Sequence, residues 1–444
     1  MADLRSLFLL PFSSALIMVL FYALLNPGLC ASTTPVAISN SAFLEKLHIK
    51  GLHRTKLHVV KRELEVSEGQ WVTADQILKS VQNLKNTDLF SKVLPLTEIQ
   101  TNSHLILTLE LEERWTTIPF FNFSSGGSTN YILAGIYDTN FLGRFIQFGV
   151  QYDNWNGAHS GLLWYRNPHF FSRKTRLAFD IGTIKRPWII YTATGDKIFS
   201  YLLARNVARL SITHELPHAI FFDMGFFDHQ DSYQNPIATP GLESATEQIL
   251  GADRNFSFRE FDTSLRFGEL ARDNFLVSGY EVSMRHTRSL GFDLSSHHFQ
   301  RNRFTAKIFQ TFWRDASLGA QLKIFQSNAS MIHKQYVLGG FGEIRGYFDG
   351  QFQGKLYWQT NLEFRKPVFE YLWFILQGIV FFDALQYGNT AAELGLGQTL
   401  YTSQGIGVRL ISPKVYGFNG RLDFSWANSA TKASAISFGA QQFF

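Results

Sequence analysis

Three features are scarce in this sequence. There is one cysteine in 444 residues, Cys30, so no intramolecular disulfide can hold the fold. Charged residues amount to 17%, and 41 basic against 36 acidic side chains leave a net charge of only +5. The basic residues are scattered, so no nucleic-acid partner is expected. Beyond residue 30 no apolar run approaches the roughly 18 to 20 residues of a helical membrane span. The nearest, Tyr371 to Phe382, is short and carries Gln377. With a mean hydropathy of −0.05, a helical membrane bundle is disfavoured. Aromatic residues, by contrast, are abundant: 43 Phe, 16 Tyr and 9 Trp exclude a disordered chain.

The first 31 residues read as an export signal. Arg5 is followed by an apolar core from Leu7 to Leu25, and Asn26 to Ser32 offers a cleavage region of turn-forming and small residues. The alternative is a retained membrane anchor. Cleavage after Ala31 would leave a mature chain without thiols.

Residues 44–113 have the pattern of a small α/β domain. Leu47 to Lys50 alternates as a strand and Gly51 ends it. Thr55 is placed to cap a helix through Leu57, Val60 and Leu64, Glu68 and Gly69 form a turn, and Thr73 caps a second helix with Ile77, Val81 and Leu84 on one face. Strands Ser91 to Ile99 and His104 to Glu112 complete the order strand, helix, helix, strand, strand.

From Trp115 to the end the period is two. Ile146, Phe148, Val150 and Tyr152 share one face, with Gln147, Gly149, Gln151 and Asp153 on the other. Similar alternation recurs in Leu276 to Arg285, Arg303 to Phe312, Leu318 to Phe325, Lys355 to Arg365, Ser403 to Leu410 and Arg421 to Trp426. An apolar face crowded with Phe and Tyr, opposite one rich in Gly and Gln, is the pattern of a transmembrane β-barrel. Strands are expected near Trp115, Asn130, Phe145, Ser160, Lys174, Tyr201, Ala219, Phe256, Asn274, Arg303, Ser317, Lys355, Tyr371, Ser403, Phe418 and Ala435, sixteen in all. Short and long connections alternate, as in outer-membrane barrels. Near Glu260 the phase slips, so a bulge or a misplaced strand is expected there.

The two regions together resemble one family. Residues 44–113, with "IKGLHRTK", "TDLFSKV" and "LTLELEE", look like a POTRA domain, and residues 115–444 like the barrel of the BamA/TamA-type outer-membrane assembly and translocation superfamily. The most specific segment is "GGFGEIRGYFDGQFQG" at Gly339 to Gly354, similar to the family's Arg-Gly-Tyr/Phe loop that folds back into the lumen. "NLEFRKPV", "VFFDALQYG", "GIGVRLISP", "GRLDFSWA" and the terminal "ISFGAQQFF" follow in the family's order. The resemblance implies a Gram-negative outer-membrane protein with its POTRA domain in the periplasm, no catalysis and no cofactor. It also implies contact with outer-membrane lipid, unfolded or secreted polypeptide clients, and accessory periplasmic proteins docking by strand addition to Ser91 to Ile99.

Within that frame the inward-loop motif is Gly342, Arg345, Gly346 and Tyr347. The loop's glycines, Gly339, Gly340, Gly342 and Gly346, permit left-handed turns. By alternation Glu363 shares the polar face of its strand with Gln359, Asn361 and Arg365, and Asp383 shares that of Gln377. A guanidinium in a partly dehydrated lumen needs carboxylate partners, and these two on adjacent strands can provide them. The other reading of Arg345 is an exposed loop arginine. The closing seam involves Pro119, which cannot donate to a ladder, Gly439, which favours a bend, and the terminal Phe444. In the resembling family this seam is a lateral gate; alternatively Pro119 marks only the domain junction.

Other chemistry is not supported. No Lys-Ser/Thr or helix follows the glycine loop, so it is no phosphate loop. His214, His218 and His229 read as surface histidines rather than parts of a triad. His286, His297 and His298 lack the cysteines or carboxylates of a metal site. The rival functions are a two-partner-secretion transporter, which typically carries two POTRA domains, and a passive porin-like barrel.

Overall fold

The computed structural model describes residues 41–444 except 100–103, 127, 193, 274–275, 291–297, 313–314, 341–342, 372–373, 413–418, 429–435 and 440–444. The expected export signal lies outside the described residues. The chain divides into two units at Arg114 and Trp115.

The first unit is built from β1 (Ala42–Lys50), α1 (Leu57–Glu63), β2 (Trp71–Val72), α2 (Ala74–Asn86), β3 (Phe90–Ile99) and β4 (His104–Glu113). Its sheet runs β2-β1-β4-β3, with β1 parallel and β3 antiparallel to β4. The alternation of β4 buries Leu105, Leu107, Leu109 and Leu111, and the helices bury Val59, Val60, Ile77 and Leu84. Thr73 caps α2 in a reciprocal capping box with Gln76. Thr55 does not cap α1: the N-cap is Lys56, with no side-chain capping bond. Instead the backbone N–H groups of Arg54 and Thr55 donate to the Glu113 carboxylate at 2.9 and 2.7 Å, tying the β1–α1 turn to the end of β4.

Partial burial works against the charge of Glu113. Donation from the Thr55 hydroxyl and from the Thr55, Arg54 and His53 N–H groups outweighs it and holds the carboxyl below its ordinary 4.5. A depressed folded-state value means the contribution to stability is complete above about 4.5 and disappears as pH falls through the lower folded value. Glu113→Gln is therefore expected to increase amide exchange in β1 and β4 of the full chain at neutral pH. Once the pH has fallen below the depressed folded-state value, wild type and variant should converge. Equal protection of the two proteins at neutral pH would refute this role.

The second unit is a closed antiparallel barrel. Its strands are β5 (Thr117–Gly126), β6 (Thr129–Asp138), β7 (Gln147–Trp155), β8 (Ala158–Asn167), β9 (Thr175–Tyr191), β10 (Lys197–Leu216), β11 (Ile220–Ala238), β12 (Asn255–Phe267), β13 (Leu270–Asp273), β14 (Leu276–Ser289), β15 (Gln300–Phe312) and β16 (Ala316–Ser327). After a hairpin of β17 (Tyr336–Leu338) and β18 (Phe352–Gly354) come β19 (Leu356–Tyr371), β20 (Phe374–Gly388), β21 (Tyr401–Ile411), β22 (Asn419–Ala427) and β23 (Ile436–Gly439). Both β12 and β13 pair with β14 and are parted only by Gly268 and Glu269, so they are halves of one strand. Counted so, the barrel has sixteen strands among the described residues, one at each expected place. No helix among the described residues is long and apolar enough to cross a membrane.

Lipid-side positions are apolar: Ile136, Val150, Ile181, Leu210, Phe226, Leu265 and Met284 are all exposed. The lumen side carries the polar set. The phase slip near Glu260 is real in hydrophobicity, but no bulge accompanies it. β12 pairs with β11 without a register shift from Asn255 to Phe267. Phe256 and Phe258 face inward with Glu260 because they pack into an interior apolar cluster with Phe199, Tyr201, Tyr233, Phe299, Met331 and Ile332. Aromatic residues on the lumen face therefore mimic a change of phase. Strands β9 to β11 have 17, 20 and 19 residues, longer than the roughly 9 to 11 that cross a bilayer.

Candidate functional site: a loop held inside the barrel

The connection from β16 to β19, residues 328–355, enters the lumen. Arg345 at its tip is fully buried. Its Nε and Nη2 donate to the two carboxylate oxygens of Asp383 on β20 at 2.8 and 2.7 Å, and Nη1 donates to Glu363 Oε1 on β19 at 2.6 Å. The backbone N–H of Arg345 also donates to Asp383, at 3.2 Å. The guanidinium lies over the ring of Phe381, 3.4 Å from its centroid, which adds a cation–π contact in a dry setting.

Glu363 is the hub of this network. Besides Arg345 it accepts from Arg365 Nη2 at 2.7 Å and from Arg409 Nη2, on β21, at 3.2 Å. Arg409 pairs in turn with Asp423 on β22, which stands 3.8 Å from Arg345. Three arginines and three carboxylates, all essentially unexposed, thus meet across four consecutive strands, with Arg421 of β22 directly opposite Arg409. Removing a partner from such a group strands a charge. Asn361 locks the loop from below, donating to Asp383 and to the Glu343 carbonyl, both at 2.9 Å.

The neighbouring motif residues have their own places. Gly346 has φ of +84°, and a Cβ there would stand 3.2 to 3.4 Å from Ser425, Ser403 and Ala427, so backbone conformation and space both select glycine. Gly339 is wanted for a different reason: a Cβ would meet the Phe348 carbonyl at 2.0 Å. Gly342 lies outside the described residues. The Tyr347 hydroxyl lies at hydrogen-bond distance, 2.8 and 2.7 Å, from the Thr402 carbonyl and the Asn428 side chain, while its ring packs on Phe352.

Two further anchors of the same loop were not read from the sequence. Lys334, fully buried, donates to Glu260 on β12 at 2.8 Å and stands 3.1 Å from Asp231 on β11. His333 Nε2 is 3.0 Å from Asp231, and Arg205 and Arg301 brace Asp231 and Glu260. His229, expected at the surface, is buried between Asp231 and Glu260 at 3.1 and 2.8 Å. Asp231, two positions along β11, and Glu260 on the neighbouring β12 hold it inside. Across the lumen, Asp349 pairs with Arg186 on β9 at 3.1 Å and Phe348 stacks on Tyr191. The loop is thus a strut tied to three sectors of the wall.

At the seam, β23 pairs with β5 through Phe438 opposite Ser125 and Gly439 opposite Ser124. Phe123 and Phe438 are in ring contact at 4.9 Å. Pro119 sits within β5, opposite Ile136 of β6. Phe444 lies outside the described residues.

Comparison with protein families matches residues 140–444 to the Omp85 superfamily domain. Residues 42–114 match the POTRA family, described as surface antigen variable number repeat. Among solved structures, the fold resembles BamA from Haemophilus ducreyi lacking POTRA domains 1–3, with a TM-score of 0.68 at 15% identity, covering 90% of this chain and 84% of that one. It also resembles CdiB from Escherichia coli, at 0.61 and 12%, covering 90% and 76%, and CdiB from Acinetobacter baumannii, at 0.59 and 15%, covering 90% and 74%. Comparison with curated protein sequences gives no match.

Proposed function

Because the chain belongs to the Omp85 superfamily, with one POTRA domain ahead of an outer-membrane barrel, we propose that it helps polypeptides enter or cross the outer membrane. It does so without a cofactor or covalent catalysis. The POTRA domain lies in the periplasm and docks clients or accessory proteins along β3, an edge strand of its sheet. The barrel opens between β23 and β5, where a client strand adds to the exposed edge.

The observation that carries this reading is the buried ion-pair network around Glu363. A passive channel of the porin type keeps a wet polar lumen and has no use for six dehydrated charges gripping an inserted loop. Here they tie β19, β20, β21 and β22 to that loop. A wall stiffened on one side of the seam directs any opening to the seam itself. Translocation of a secreted partner would use the same barrel, and the likeness to CdiB at the level of fold is compatible with it.

The purified chain in liposomes should accelerate folding of an unfolded outer-membrane barrel substrate into protease-protected form. A folding rate equal to that of empty liposomes, together with rapid solute-driven swelling, would favour the passive barrel instead.

A further inference from the structure

The lumen contains a cavity of about 470 Å³ on the wall opposite the Glu363 network. It is lined by six arginines: Arg166 on β8, Arg205 and Arg209 on β10, Arg285 on β14, and Arg301 and Arg303 on β15. Three carboxylates, Asp180, Glu260 and Asp262, face the same space, leaving an excess of three positive charges. The carboxylates do not serve the arginines evenly. Asp180 is taken by Arg166 and Glu260 by Arg301 and Lys334, while Arg205 is committed to Asp231 outside the lining.

Arg209, Arg285 and Arg303 are left without an ion pair within 4.0 Å among the described residues. The register sharpens this. Arg285 and Arg303 are directly opposite on adjacent strands, a like-charge juxtaposition that is unfavourable by itself. Both stand at lumen-side positions, since their neighbour Met284 faces the lipid side at 59% exposure. Arg209 lies over the ring of Phe227 at 4.5 Å, with its Nε buried and unpartnered. Arg301 Nε is likewise buried without a partner.

We propose that this cavity is a binding site for a small, multiply charged oxyanion of the phosphate or pyrophosphate class. Guanidinium groups present planar pairs of donors that match such oxygens. The anion would relieve the repulsion between Arg285 and Arg303 and satisfy the idle donors of Arg209. The volume suits a small molecule rather than a polypeptide segment. Because the lining comes from lumen-side positions of β8 to β16, the ligand arrives as a soluble anion and not as a headgroup still in the bilayer.

The test is calorimetric titration of the purified full chain in neutral detergent with pyrophosphate at constant ionic strength. Saturable binding at one site per barrel is expected, weakened about tenfold or more in Arg285→Gln/Arg303→Gln. The same affinity is expected in Arg288→Gln, which alters an arginine one step off the cavity face of β14. Heat-modified electrophoresis establishes that each variant is folded. Should the double variant fail to fold, Arg209→Gln takes its place with the same expectation. Absence of saturable binding, or equal affinity in wild type and the cavity variants, would overturn the proposal. So would release of pyrophosphate by short-chain phosphatidylglycerol but not by inorganic phosphate, since a lipid headgroup would then be the ligand.

Discussion

Arg345→Ala is expected to destabilise the barrel by about 3–5 kcal/mol, seen as a lower temperature of conversion from the fast-migrating folded band to the unfolded one. The alanine removes a guanidinium that makes two bonds to Asp383 and one to Glu363. Among the described residues Asp383 then keeps Asn361 as its side-chain donor, and its charge is left without a cation partner in a dry site. Arg345→Lys should recover part of the loss, because a point charge can approach one carboxylate but cannot span both. Glu363→Gln should be as damaging as the alanine variant, since it deprives three arginines of a shared partner. An unchanged conversion temperature for Arg345→Ala would mean that the loop is not held by this residue.

The second large effect concerns the seam. A Cβ built on Gly439 stands 3.3 Å from Ser124 Cβ, close to the roughly 3.5 to 4.5 Å of a disulfide. Ser124→Cys with Gly439→Cys, in a chain whose one native cysteine is Cys30, should therefore crosslink β5 to β23. Oxidised, this variant is expected to lose substrate-folding activity almost completely, and reduction should restore it. Full activity in the oxidised form would exclude opening at this seam as the working step.

How far the sequence alone reached depends on the range of the interactions. Strand number and sidedness follow from a local period, since lipid on one side and lumen on the other impose alternation strand by strand; sixteen strands could be placed before any pairing was known. The same alternation puts Glu363 and Asp383 on lumen-side positions. It does not say which other charges meet them. Arg409 and Asp423 reach the hub from β21 and β22 because closure of the barrel brings four strands around one loop, a fact of circumference and not of spacing. Lys334 and His333 were invisible for another reason. Phe256 and Phe258 obscure the phase of β12, so Glu260 could not be assigned a side, and His229 lost the neighbours that bury it. Thr55 illustrates the reverse error: a residue of the right type for a cap was used instead to hold Glu113.

If this barrel acts on other polypeptides, its removal must change which of them reach the outer membrane. The most direct measurement is the outer-membrane proteome of the native cell after depletion of this protein, set beside that of undepleted cells. Selective loss of one or several barrel or surface proteins is the predicted result and would identify the clients. An unaltered proteome accompanied by changed uptake of small solutes would contradict it.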